Sequence, residues 1–160
     1  MKKKTLLFSL LAMFALVCAG GWYLLHQNQA QTVKAEARKT YIQSSRPTIF
    51  FHGWGSSSRA ERHMANAAKK AGVTQTIIEA KVAKDGTVTL KGTIPKDAVN
   101  PIVLVNFDNN RGASTQDQGN YAYAVVKALQ DTYGITEMNM VAHSYGNMAI
   151  VYYMLQHGSD

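Results

Sequence analysis

The sequence predicts an α/β fold with a mostly parallel sheet. Three observations carry this. Short apolar runs at Thr48–Phe51 and Ile102–Phe107 have the length and character of strands buried on both faces, and Met138–Ala142 reads as a third strand. Helical patterns separate or follow them, and such alternation calls for crossover helices on a parallel sheet. Between the first two runs, Thr76–Val82 and Thr87–Ile94 alternate around Lys84-Asp85-Gly86, which reads as a β-hairpin with one polar face.

The elements follow in order. Pro47 opens the first strand, and the loop His52-Gly53-Trp54-Gly55-Ser56-Ser57-Ser58 leaves it. The next helix places Ala60, Met64, Ala67, Ala68 and Ala71 on one face and stops at Gly72. In the hairpin Ile78, Ala80 and Val82 face one side, Glu79 and Lys81 the other. After the second buried strand, 108–119 reads as a polar loop. Tyr121, Ala124, Val125, Ala128 and Leu129 then form the apolar face of a helix ending near Gly134. The third strand passes through a tight turn at His143–Gly146 into a last helix, Asn147–Gln156, apolar on nearly every side. In this order the third strand should lie beside the first, whose other side pairs with the second.

The 160 residues suffice for one domain, but the globular part, 46–160, is short for a complete catalytic domain of this class. Hydrophobic residues at 46% and charged residues at 17% exclude a disordered chain. The net charge is +7, and Lys2, Lys3 and Lys4 supply three of those charges. Without a basic run elsewhere, nucleic acid is excluded as a partner.

Behind those lysines, Leu6–Leu25 is uncharged and mostly apolar, and as a helix it would reach about 30 Å, the hydrocarbon thickness. Residues 1–26 therefore read as a signal anchor, with the rest of the chain outside the cell membrane, or as a signal peptide cut after Ala19 that releases a secreted protein. Continuation of the apolar run through Trp22-Tyr23-Leu24-Leu25 favours the anchor. Cys18, the sole cysteine, follows Val17 rather than a small residue, so it reads as membrane-segment filler, not a lipid attachment point. Residues 27–45 are polar and read as a linker, with a short helix at Val33–Lys39.

The chemistry lies in two segments. In Ala142-His143-Ser144-Tyr145-Gly146, between strand and helix, a serine would be thrust out at a sharp turn, and Ala142 and Gly146 supply the small residues such a turn needs. Ser144 is the candidate nucleophile, at a helix N-terminus that favours developing negative charge. In His52-Gly53-Trp54-Gly55, the glycines allow close backbone approach to a substrate oxygen. The backbone N–H groups of Trp54 and Tyr145 are the candidate oxyanion hole. His52 reads as a structural histidine that bonds loop backbone. Asp108, Arg111, Gln116 and Asp117 lie in a loop that reads mainly as solvated, the alternative being a loop that faces the site. No Cys/His cluster suggests zinc and no Gly-rich loop suits a phosphate, so no cofactor is expected.

The Phe51-His52-Gly53-Trp54-Gly55 and Ala142-His143-Ser144-Tyr145-Gly146-Asn147 segments resemble the α/β-hydrolases described as membrane-bound cell-surface hydrolases of Gram-positive bacteria. The resemblance spans about Arg46 to Gly158. It implies a three-layer sandwich, a Ser-His-Asp triad and a small-molecule or lipid-like ester, thioester or amide substrate outside the cell. In that fold the acid and histidine follow the serine. Only sixteen residues follow Ser144 here, and His157, about 20 Å along the helix, is out of reach. His143 is expected to face away from the turn. The expectation is thus a partial, truncated hydrolase domain at 46–160, impaired in turnover. The alternatives are an inactive envelope-binding protein or the remnant of an interrupted gene.

Overall fold

The computed structural model describes residues 2–159, with side chains described for 13–32 and 41–159. After a long helix α1 (Lys2–Thr40), the chain runs β1 (Thr48–Phe51), α2 (Arg59–Lys70), β2 (Ile77–Val82), β3 (Val88–Lys91), β4 (Ile102–Phe107), α3 (Thr115–Tyr133), β5 (Asn139–Ala142) and α4 (Gly146–His157). The five strands form one sheet in the order β3-β2-β4-β1-β5. β1 lies between β4 and β5 and is parallel to both, in the arrangement the strand order predicts. The hairpin joins the sheet by pairing β2 parallel to β4, with β3 antiparallel outside it.

Burial of β1 and β4 on both faces follows from their uninterrupted apolar sequences. Ile49, Phe51, Val103, Val105 and Phe107 pack with Tyr121, Ala122, Val125 and Leu129 of α3 and Ala149 of α4. Ile102 and Leu104 turn to the opposite face and meet Ala65 of α2. Helices therefore cover both sides of the sheet, which gives the three-layer sandwich. On the α3/α4 side the helices are close-packed at Gly119, where an added Cβ would lie 2.8 Å from Tyr152.

Four local expectations change. The buried stripe of α2 is Glu61 and Ala65 with half-buried Ala68, whereas Met64 is exposed. The small Ala65 is what lets the helix sit down on Ile102 and Leu104. Helix α3 starts at Thr115 inside the expected loop, because Ser114 and Asp117 form a capping box that satisfies the first turn. Gly134 closes α3 in the left-handed conformation, as a C-terminal glycine should. Within the polar stretch the helix is longer than the expected Val33–Lys39, because α1 continues through 27–40.

The transmembrane helix is the fourth. Leu6–Leu25 lies within α1, but among the described residues no helix is long and apolar enough to cross a membrane. Side chains 6–12 of the expected span lie outside the described residues. Gln27, Asn28 and Gln29 follow the apolar run directly, and α1 continues through them.

Candidate active site

β1 and β5 end side by side, with Phe51 opposite Ala142. The two segments singled out in the sequence therefore leave the sheet at the same edge. The backbone N–H of His143 donates to the Phe51 carbonyl at 3.1 Å, which extends the ladder into the turn. Ser144 then takes φ +52°, a left-handed conformation that a side-chain-bearing residue adopts only where its surroundings impose it. The imposing contact lies two residues on. A Cβ at Gly146 would stand 2.5 Å from the Phe51 oxygen and 2.6 Å from that of His52, so only glycine lets α4 start against the end of β1. Ser144 is exposed at this turn, just before the N-terminus of α4. Its carbonyl accepts from the N–H and from Nδ2 of Asn147, at 3.1 and 2.8 Å.

Gly53 abuts the nucleophile candidate. A Cβ there would lie 3.2 Å from Ser144 Cβ and 3.3 Å from His143 Nδ1. The His143 ring thus leans against the His52-Gly53 loop. His52 is buried and committed at both nitrogens. The Phe107 N–H donates to its Nε2 at 3.0 Å, so Nδ1 carries the proton and donates to the Gly53 carbonyl at 2.8 Å. His52 is a structural histidine, as its sequence context suggests.

The Gly53 carbonyl also accepts from Ser56 N–H at 3.2 Å. In a trans peptide the N–H points opposite the carbonyl. With Gly53 O held inside the loop, Trp54 N–H is turned outward. Among the described residues neither Trp54 N–H nor Tyr145 N–H has a hydrogen-bond partner. Two unpaired N–H groups therefore sit next to the turn, one on Tyr145, which follows Ser144, and one on Trp54, which follows the Gly53 that abuts it.

Sequence reasoning missed the bracing of this loop. Gly55, at φ +66°, donates to the Asn110 carbonyl at 2.8 Å, and Asn110 Nδ2 donates to Ser56 O at 2.6 Å. Gly55 thus lets the loop meet the 108–112 turn as well as the site. Arg111 lies over the exposed Trp54 ring. Nothing in the order of residues pairs these loops; the parallel β1–β4 neighbourhood does. Asp117 faces its own helix end instead, where hydrogen bonds from the Ser114 side chain and backbone hold its carboxyl below the usual carboxylate range. Asp108 pairs with Lys81 at 3.1 Å.

Among the described residues, no histidine nitrogen hydrogen-bonds to Ser144 Oγ. His157 stacks on Tyr123 with ring centroids 4.0 Å apart. Among the described residues no cluster of His, Cys, Asp or Glu could hold a metal ion.

Residues 35–160 match the family model described as "Alpha/beta hydrolase of unknown function (DUF915)". The chain belongs to this DUF915 α/β-hydrolase family. Two solved structures are similar to this chain. The product of gene lin2722 from Listeria innocua shares 27% identity at a TM-score of 0.68, over 73% of this chain and 46% of that one. The "putative cell surface hydrolase" from Lactobacillus plantarum WCFS1 shares 23% identity at a TM-score of 0.61, over 70% of this chain and 46% of that one, and supports the fold. The chain thus spans less than half the length of either structure. No curated protein matches the chain.

Proposed function

We propose that this DUF915 member is a serine hydrolase acting on a small-molecule or lipid-like ester, thioester or amide at the cell surface. Ser144 Oγ attacks the acyl carbon, and the Trp54 and Tyr145 N–H groups receive the resulting oxyanion. Such donors contribute about 3–4 kcal/mol each when aimed at the charge that develops. The observation that carries this reading is the strained Ser144 turn beside two N–H groups without partners. Action at the cell surface is supported by the name given to the Lactobacillus plantarum protein.

A serine without a base is a weak nucleophile. Slow turnover by the 160-residue chain is therefore part of the proposal, because oxyanion donors and binding alone still leave some catalysis. A second reading, an envelope-binding protein that holds such a substrate without turning it over, is favoured by one observation, the lack of a histidine on Ser144 Oγ among the described residues. Hydrolysis of short 4-nitrophenyl esters separates the two. Release above the buffer rate, lost in Ser144→Ala, supports the hydrolase. Equal release by Ser144→Ala removes Ser144 from the chemistry.

A further inference from the structure

We propose that Arg111, seated on Trp54, is a specificity-determining residue that selects substrates carrying an anionic oxygen group, carboxylate or phosphate, near the scissile carbonyl. This rests on the hydrolase reading for the position of that carbonyl.

Two contacts of Arg111 and one of its neighbour Asn110 hold it against the Trp54 loop. Its guanidinium carbon lies 5.2 Å from the centroid of the Trp54 ring. Trp54 Nε1–H donates to the Arg111 carbonyl at 3.3 Å. The neighbouring Asn110 carbonyl accepts the Gly55 N–H at 2.8 Å. Gly55 itself makes room, since a Cβ there would lie 3.1 Å from Arg111 Nε. Trp54 is 60% exposed, so the aromatic platform is open to solvent beside Gly53 and Ser144.

A stacked guanidinium uses its face and leaves its N–H edge free. Among the described residues Arg111 forms no ion pair. The carboxylates of its own loop are committed elsewhere, Asp108 to Lys81 and Asp117 to the Ser114 cap. A positive planar fork, held in place and without an internal counterion, is suited to a two-point contact with a carboxylate or phosphate. It rests against the other loop, the one that carries the candidate donor Trp54 N–H. An anionic substrate group bound there would present the adjacent carbonyl to Ser144.

The test is a binding measurement, so slow turnover does not obscure it. The full chain carrying Trp22→Phe and Ser144→Ala retains Trp54 as its sole tryptophan and cannot consume the ligand through Ser144. Trp54 fluorescence is titrated with 4-carboxybutyrate methyl ester, 1-butyryl-glycerol 3-phosphate, and their neutral counterparts methyl butyrate and monobutyrin. Each anionic ester should bind about tenfold more tightly than its neutral counterpart, the size of one exposed charge-assisted contact. Arg111→Gln should bring each pair to within about threefold, and Arg111→Lys should retain part of the preference. If only one anionic ester shows the preference, that anion is the selected group.

Equal affinities in the parent protein would overturn the proposal. So would a preference that survives in Arg111→Gln, or no binding of any of the four at millimolar concentration. Circular dichroism of Arg111→Gln separates a lost anion contact from a lost loop staple. The hydrolase reading fails differently, through ester cleavage that Ser144→Ala leaves unchanged.

Discussion

Gly146→Ala is the substitution whose consequence the structure fixes most closely. The added methyl would sit 2.5 Å from the Phe51 oxygen and 2.6 Å from the His52 oxygen. Ordinary carbon–oxygen contacts need about an ångström more. Neither carbonyl can retreat freely. The Phe51 oxygen holds the His143 N–H at 3.1 Å, and β1 is hydrogen-bonded on both sides. Relief must come from α4 backing away from the sheet edge. Forced overpacking costs typically 1–3 kcal/mol, and a clash with two backbone atoms belongs at the upper end, about 3 kcal/mol. Replacing Gly by Ala at a helix end offsets less than about 1 kcal/mol of this. The expected net loss is about 2 kcal/mol, or roughly 8 °C in Tm for a domain of this size. Thermal and urea unfolding followed by circular dichroism measure it. Gly20→Ala, where an added Cβ meets nothing within 4 Å, is the control and should not lower Tm. An unchanged Tm for Gly146→Ala would refute the tight strand-to-helix turn and the account of Ser144 built on it.

Gly53→Val should slow ester hydrolysis by about a hundredfold relative to the parent chain, the effect of losing one oxyanion donor, because its side chain would push against Ser144 and His143. An unchanged rate would remove the loop from the site. Ser114→Ala should lower stability by about 1 kcal/mol at neutral pH through loss of the α3 cap. The depressed Asp117 carboxyl adds a pH signature. Its folded pKa lies below the unfolded one, so its contribution is complete above about pH 4 and is lost as pH falls through the folded value. The stability gap between the parent and Asp117→Asn should therefore close in acid, and a gap that persists there would contradict the cap. Finally, β5 forms one edge of the sheet, and Leu155, 75% exposed, and Val151 give α4 an uncovered apolar face. The chain should self-associate in sedimentation experiments, and Leu155→Glu with Val151→Lys should reduce this. A monomeric parent with a sharp unfolding transition would show that this face needs no partner.

The strands were legible because burial on two faces leaves its mark on sequence. Ile102–Phe107 has no polar residue until Asn106, and its pairing with β1 follows from the chain order. The hairpin was legible from its period of two, and its inner residues Ile78, Ala80 and Val82 are the buried ones. Helix faces were harder to read. In α2 a buried Glu61 replaces the apolar residue that pattern reading seeks, and Met64 turns outward. The α3 start was readable in principle, since Ser114 and Asp117 have capping-box spacing, but the surrounding polar residues resemble a loop. In the candidate site, the turn at Ser144 and Gly146 and the close approach of Gly53 follow from local chain geometry, which sequence encodes. The seat of Arg111 on Trp54 depends on two loops 57 residues apart meeting across β1 and β4, and no local pattern announces it.

The central claim is that Ser144 is the nucleophile. Prolonged incubation with a fluorophosphonate, followed by mass-spectrometric mapping of the adduct, tests it most directly. Slow labelling confined to Ser144 and lost in Ser144→Ala is the predicted result. An adduct on any other residue, or none after prolonged exposure, would contradict it.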